Sequence, residues 1–288
     1  MQRTEGLGYE LKMRASMSPN HNKRIIRTMT KKKGYKSLPL SFNRRAVIAS
    51  ATVTKDKNAI HCFTQADITK PRELIKKHFE ETGEKLSLTA YIVTCLSNVI
   101  KDYPGFNSFT KGRKLILLDD ITISVLIERE IDGERVPEPI GIQQAQDKSY
   151  LQIHKEIREA KKHQTNKLGG LSGLTWFSLI PGILLKLFVR IADKNIRMAK
   201  KYGKISVTAV GMYSKEPFWF IPHGTATVLI TIGSIEKKIV ECDNQFVLRE
   251  HLCLTASFDH DIVDGATASR FMNQFIETIK SGELIKTD

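Results

Sequence analysis

The chain has 288 residues, 41% of them hydrophobic and 26% charged, with a formal net charge of +14 at pH 7. Its basic residues are spread along the chain without a zinc-finger or helix-turn-helix signal, so nucleic-acid binding is not expected. Its four cysteines show no C-x-x-C spacing, which argues against a zinc or redox site, and we predict no metal.

The first forty residues form a basic segment. They contain ten Lys or Arg residues against two acidic ones, with few periodic apolar positions. We expect a tail over 1–40 that is mobile to about residue 38, followed by one domain over 41–288. The tail lacks the apolar core of a secretory signal, and the scattered cysteines suit a reducing compartment, so a cytoplasmic location is expected.

Two helices are predicted early in the domain. The first begins in Ile68–Pro71, with proline in its first turn, and ends near Gly83. Ser87 caps the second, whose apolar stripe stops before Pro104. Strands and helices then alternate to the C-terminus, which predicts an α/β or α+β domain with a central sheet. The predicted strands are 121–127, 205–210, 227–232 and 252–258, and the predicted helices are 149–163 and 266–280.

The most informative motif lies between the last predicted strand and the last predicted helix. There His260 is followed four residues later by Asp264 and then by Gly265, an HxxxDG arrangement. Histidine can remove a proton from a thiol or hydroxyl near neutral pH, because its ordinary pKa is about 6.5. Asp264 has a structural alternative, since an aspartate just before a helix can cap its free N–H groups.

This motif and its flanking elements resemble the C-terminal signature of the 2-oxoacid dehydrogenase acyltransferases, and chloramphenicol acetyltransferase carries a related one. The resemblance covers about Phe42 to Ile285. It is carried by the motif segment 257–266 and by further segments in the family's order: Arg44–Ala49, Ala59–Phe63, Ile121–Val125 and Asp147–Ser149.

The resemblance implies the coenzyme A-dependent acyltransferase fold, a mixed sheet flanked by helices that assembles as a trimer with active sites between subunits. In that family a serine or threonine of the neighbouring subunit stabilises the tetrahedral intermediate. The segment Val207–Gly211 matches the strand that carries this hydroxyl, which assigns the role to Thr208 in preference to Ser206. Without the resemblance, Thr208 would be an ordinary strand residue.

The resemblance also assigns other site residues. Asp264 would pair with an arginine near the start of the domain, here Arg44 or Arg45. Gly265, His223 and Ser206 become candidate substrate contacts. His61 and His251 lie in strand-like runs, where an imidazole satisfied by one hydrogen bond is the more common explanation.

The chain departs from the family in four respects. Gln143 and Gln144 occupy a stretch where the family tends to have a basic residue. It contains no lipoyl-lysine hairpin, so we expect no lipoyl group on this chain. Asp261 stands where relatives usually have arginine. An apolar helical insertion at about 168–201 replaces a shorter polar linker, and we expect its residues Leu184, Leu185 and Phe188, with Trp176 and Phe177, to be buried against protein.

The leading hypothesis is an acyltransferase that moves an acyl group between coenzyme A and a thiol, with dihydrolipoamide on a separate carrier protein as one acceptor. The enzymatic alternative is an O-acetyltransferase of the chloramphenicol acetyltransferase type. The alternative from another class is a catalytically silent trimeric module. We expect a homo-oligomer, a trimer or a multiple of trimers, and no membrane association.

Overall fold

The structure, a computed structural model, describes residues 31–32, 34–55, 57–131, 134–162, 181–211, 214 and 216–285. Its helices are α1 (Phe42–Thr54), α2 (Thr69–Thr82), α3 (Leu88–Ile100), α4 (Tyr150–Lys162), α5 (Gly182–Asp193), α6 (Ile196–Tyr202) and α7 (Gly265–Ser281). Its strands are β1 (Lys31–Lys32), β2 (Tyr35–Lys36), β3 (Ala59–Asp67), β4 (Ser108–Lys111), β5 (Lys114–Leu117), β6 (Ile123–Ile131), β7 (Glu134–Ile142), β8 (Ile205–Ala209), β9 (Val228–Cys242) and β10 (Gln245–Asp259).

The predicted N-terminal tail lies outside the described residues as far as residue 30. In its remaining part, β1 pairs with β2 as a short antiparallel ladder.

The central sheet has six strands in the order β3-β10-β9-β8-β6-β7. β8 runs parallel to both of its neighbours, and all other neighbouring pairs are antiparallel. β3 is an edge strand whose partner in the sheet is β10. The mixed sheet predicted from the sequence is therefore confirmed.

The main core lies between this sheet and α2, α3, α4 and α7. Leu252, Leu254, Ala256 and Phe258, alternate residues of β10, belong to this core. The residues between them are buried as well, so this part of the strand is covered on both faces. The face of α7 made by Phe271, Phe275 and Ile279 is completely buried in the same core. Fully burying such a side chain stabilises the fold by about 1.5–3 kcal/mol. The two elements that flank His260, β10 and α7, are therefore firmly packed.

The two early helices follow the sequence prediction. Gly83, which ends α2, has a φ of 71°, a conformation that glycine adopts without strain. The Ser87 hydroxyl accepts a hydrogen bond from the backbone N–H of Ala90 at the start of α3. α3 was predicted to have one apolar stripe, but it is buried on nearly all sides, because α4 and α7 pack against it together with the sheet.

Helix α1 was not predicted. Its sequence mixes β-branched residues with Arg44 and Arg45 and shows no clear apolar stripe. It begins where the Ser41 hydroxyl accepts a hydrogen bond from the N–H of Arg44 at 3.2 Å, and it packs against α5. A tertiary contact therefore supplies the stability that the local pattern does not indicate.

The described part of the predicted insertion forms α5 and α6. Leu185 is buried as expected, but Leu184 and Phe188 are 54% and 47% exposed in the single chain. The expected burial of those two side chains is therefore wrong for one isolated chain, because α5 contacts the body through its other side. Trp176 and Phe177 lie outside the described residues. Over the described ranges, no helix is long and apolar enough to cross a membrane.

A buried histidine on α4 makes stability depend on pH. The ring of His154 accepts a hydrogen bond at Nδ1 from the N–H of Ser87, and its Nε2 lies 3.7 Å from a carboxylate oxygen of Glu84. Burial lowers the pKa of His154, the charge of Glu84 opposes this, and the charges of Arg158 and His78 lower it further. The net pKa lies below its ordinary value.

We therefore expect stability to fall as the pH drops through the ordinary histidine pKa of about 6.5. Below this pH the unfolded chain binds a proton at His154, whereas the folded chain binds it more weakly. In His154→Gln, which keeps an acceptor for Ser87, the loss between about pH 7.5 and pH 5.5 should be smaller. Urea unfolding of both proteins at the two pH values measures it. An equal loss in both would contradict a role for His154.

Candidate functional site

His260 occupies the turn between β10 and α7. The preceding strand is fixed by Phe258, whose ring packs against that of Phe271 with centroids 5.9 Å apart. The backbone N–H of His260 donates to the carbonyl of Asn58 at 2.7 Å, and its side chain is exposed. The turn therefore presents the imidazole to solvent from a fixed backbone.

The turn itself is closed by hydrogen bonds to Asp259. The Asp259 carbonyl accepts from the N–H groups of Ile262 and Val263 at 3.0 and 2.9 Å. Its carboxylate oxygen Oδ1 accepts from the N–H of Asp261 at 3.2 Å. Val263 is buried, which anchors the far side of the turn.

Asp264 stands at the position before the first turn of α7, with φ −81° and ψ 152°, but its carboxylate makes no capping hydrogen bond. Its carbonyl accepts from Ala268, and both Asp264 and Gly265 are exposed. Capping therefore does not explain the aspartate. Arg44 and Arg45 lie in the first turn of α1, and among the described residues no ion pair joins either to Asp264, so that pairing stays a prediction.

Thr208 lies in β8, directly opposite Thr231 of β9, which in turn lies opposite Thr255 of β10. His260 is five residues beyond Thr255. With about 3.3 Å per residue along a strand and about 4.8 Å between strands, Thr208 and His260 are on the order of 20 Å apart. One chain therefore does not bring the two predicted groups together.

The surroundings of Thr208 fit an accessible hydroxyl. Thr208 is half-buried and lines a cavity of about 420 Å³ that also contacts Thr89 and Lys161. The strand ends at a close approach, since a Cβ on Gly211 would meet the Gly233 carbonyl oxygen at 1.5 Å. A glycine is required there, which explains the end of the predicted motif. Ser206 is also half-buried in β8, with its partner Leu229 in β9.

A cavity of about 320 Å³ lies beside the turn that carries His260. His223, a predicted substrate contact, and Asp259 line this cavity. In the same cavity, Nδ1 of His61 and the Ser257 hydroxyl lie 2.8 Å apart, at hydrogen-bond distance. His61 thus has the single polar partner expected of a strand histidine.

Sequence reasoning missed two residues of this region, Lys57 and Asn58. Lys57 Nζ lies 2.7 Å from Asp259 Oδ2, and Asn58 Nδ2 donates to Asp261 Oδ1 at 3.0 Å. Both contacts cross about 200 positions of sequence, and a lone Lys-Asn pair carries no motif. The described residues contain no cluster of three or more His, Cys, Asp or Glu side chains placed to hold a metal ion.

The chain is similar to known proteins over most of its length. A family model described as 2-oxoacid dehydrogenases acyltransferase (catalytic domain) matches residues 32–171 and 187–286. The lipoamide acyltransferase component of the branched-chain alpha-keto acid dehydrogenase complex of Bacillus subtilis is 26% identical over 257 residues, covering 86% of this chain and 53% of that protein. The chain thus spans about half the length of the curated relatives it matches.

Two solved structures share the fold. The dihydrolipoamide acetyltransferase of Azotobacter vinelandii, whose catalytic mechanism was investigated at a serine, a histidine and an asparagine, superposes with a TM-score of 0.68 at 18% identity, covering 89% of this chain and 96% of that one. The cubic core of a pyruvate dehydrogenase multienzyme complex gives 0.67 at 18% identity, with the same coverage. The predicted fold class is confirmed by these matches, and the chain belongs to the 2-oxoacid dehydrogenase acyltransferase family.

Proposed function

We propose that this chain catalyses acyl transfer between coenzyme A and a thiol, with His260 as the general base and dihydrolipoamide as the acceptor. The observation that carries the proposal is the exposed His260 on the turn between β10 and α7, in a chain of this family.

The spacing of the candidate residues supports this assignment. In the Azotobacter vinelandii enzyme, the investigated serine and histidine are 52 residues apart, and the asparagine follows the histidine by four. Thr208 and His260 have the same separation of 52, and Asp264 follows His260 by four. On this spacing we assign Thr208 the role of the serine and Asp264 that of the asparagine.

The chemistry needs one base and one hydrogen-bond donor. His260 accepts the proton of the attacking thiol, whose ordinary pKa is about 8.5. The thiolate adds to the thioester carbonyl, and the Thr208 hydroxyl donates a hydrogen bond to the resulting oxyanion. When the intermediate collapses, the other sulfur leaves as a thiolate and takes the proton back from the His260 imidazolium.

The active form that we propose is a homotrimer or a multiple of trimers, in which His260 of one subunit faces Thr208 of the next. The separation of about 20 Å within one chain supports this arrangement. Asp264 would orient the site by pairing with Arg44 or Arg45, while Gly265, His223 and Ser206 remain candidate substrate contacts. The four free cysteines suit a reducing, cytoplasmic setting.

The proposal is tested by incubating the purified protein with acetyl-CoA or isobutyryl-CoA and dihydrolipoamide. We expect thioester exchange, measured as release of free coenzyme A and formation of acyl-dihydrolipoamide. Acetylation of chloramphenicol, with no transfer to the dithiol, would favour the O-acetyltransferase alternative. If no acceptor gives activity above the buffer background, the catalytically silent trimeric module is favoured.

Coenzyme A binding provides a second readout of the same proposal. The net charge of +14 should attract the phosphates of coenzyme A, and salt should weaken this attraction. Calorimetric titration at low and moderate salt should therefore give a lower affinity at the higher salt concentration. No heat of binding at millimolar ligand would remove coenzyme A as the substrate.

A further inference from the structure

We infer that Lys57 is a positioning residue for His260, because it fixes the carboxylate around which the catalytic turn is built and ties that turn to the insertion helix α5. The inference rests on the proposed role of His260 as the base. Lys57 lies in the short connection between α1 and β3, and it has no place in the proposed chemistry itself.

The connection between α1 and β3 holds the turn at three successive residues. Lys57 Nζ contacts Asp259 Oδ2 at 2.7 Å, the Asn58 carbonyl accepts from the His260 N–H at 2.7 Å, and Asn58 Nδ2 donates to Asp261 Oδ1 at 3.0 Å. The position of His260 is thus set from both sides. Asp261, the departure from the family pattern, has its partner in Asn58.

The ion pair between Lys57 and Asp259 is buried, with 13% and 4% of the side chains exposed. Both carboxylate oxygens of Asp259 are occupied, Oδ2 by Lys57 and Oδ1 by the N–H of Asp261. A charge-assisted bond of this kind fixes geometry more strongly than a neutral one. Removing Lys57 would leave an unpaired buried carboxylate, which would turn toward solvent and carry the turn with it.

Lys57 also reaches toward the insertion. Its Nζ donates a second hydrogen bond, at 2.7 Å, to the carbonyl of Thr225. Thr225 lines a cavity of about 410 Å³ together with Asp193, the last residue of α5, and Lys204. Asp193 and Lys204 form a second buried ion pair at 2.7 Å, with 4% and 6% of their side chains exposed.

The two ion pairs are electrostatically coupled. Burial raises the pKa of Asp193, but the charge and hydrogen bond of Lys204, a hydrogen bond from Thr225 and then the charge of Lys57 outweigh it and leave the pKa below its ordinary value. Thr225 therefore connects the two pairs, because its carbonyl accepts from Lys57 and its side chain hydrogen-bonds to Asp193 at the end of α5. A shift of α5 would be transmitted through Lys57 to the catalytic turn.

The test compares Lys57→Met with Lys57→Arg and with the control Lys76→Met, which removes an exposed lysine paired with Glu80 on α2. We expect Lys57→Met to lower kcat for acyl transfer by about tenfold or more, with little change in KM for coenzyme A. Lys57→Arg should restore most of kcat, since it restores the charge. Lys76→Met should behave as wild type.

A double variant separates positioning from folding. Lys57→Met combined with Asp259→Asn leaves no unpaired charge in the buried site, and the amide keeps an oxygen for the N–H of Asp261. We expect this variant to fold and to remain slow. Wild-type kcat in the folded Lys57→Met protein, or its recovery in the double variant, would overturn the inference.

Hydrogen exchange gives a readout that does not need turnover. The His260 N–H is protected from exchange by its hydrogen bond to the Asn58 carbonyl. A peptide containing residues 259–263 should therefore exchange faster in Lys57→Met than in the wild type, and at the wild-type rate in Lys76→Met. Equal exchange in the wild type, Lys57→Met and Lys76→Met would show that Lys57 does not fix the turn. A wild-type protein that transfers no acyl group would refute the proposed function instead, while the exchange rates would still decide whether Lys57 fixes the turn.

Discussion

Replacing His260 by alanine is expected to lower acyl transfer by about 10²–10⁴-fold, the usual contribution of a positioned general base. The effect should fall on kcat, because the incoming thiol is mostly protonated at pH 7 and loses its proton acceptor. Coenzyme A affinity and oligomeric state should persist, since the His260 side chain is exposed and its backbone N–H bond to Asn58 does not depend on the ring. Initial rates, calorimetry and light scattering measure the three properties.

His251→Gln is a suitable control, because it changes a histidine of β10, nine residues before His260, and should leave turnover unchanged. Full activity in His260→Ala would show that the turn carries no base. A protein that has lost coenzyme A binding as well would point to a binding role.

Thr208→Val is expected to have the second largest effect. Valine keeps the β-branched shape that suits β8 and deletes only the hydroxyl. Loss of one donor to an oxyanion costs about 10²–10³ in kcat, and we expect a decrease of that order with unchanged thermal stability. Ser206→Ala, two positions earlier in the same strand, is the comparison, and it should cost less.

The two variants also test whether the site forms between subunits. Co-refolded His260→Ala and Thr208→Val chains would form some interfaces where an intact His260 meets an intact Thr208, so partial activity should return. If mixed oligomers form but no activity returns, His260 and Thr208 do not meet between subunits. Either both then belong to a site within one chain, or at least one of them lies outside the site. A monomer by light scattering would contradict the shared site directly.

Local sequence patterns predicted the helices and strands whose burial follows the regular period of the element. The apolar face of α7 follows from one-sided burial, and the apolar alternation from Leu252 to Phe258 marks the side of β10 that faces the main core. Ser87 and Gly83 mark helix ends by their own chemistry. The HxxxDG motif was readable for the same reason, because the turn and its two flanking elements are contiguous.

What could not be predicted depends on distant partners. Lys57 reaches Asp259 across 202 positions, and neither residue has a sequence signal that indicates the other. Helix α1 forms against α5 without a strong stripe of its own. Leu184 and Phe188 looked like core residues because apolarity alone does not tell which side of α5 meets the protein. Tertiary context decided each case.

The pairing of β3 with β10 also has a consequence for the order of events during synthesis. β3 ends at Asp67, whereas its partner in the sheet ends at Asp259, so this edge of the sheet stays incomplete while most of the polypeptide emerges from the ribosome. Contacts so distant in sequence form late, and an unpaired strand is exposed to aggregation in the meantime. The contacts that hold the His260 turn join the two residues just before β3 to the last residue of β10 and the two residues after it. The turn that carries His260 is therefore completed only when the last strand arrives, and a chain truncated before it would have neither a finished sheet nor the candidate site.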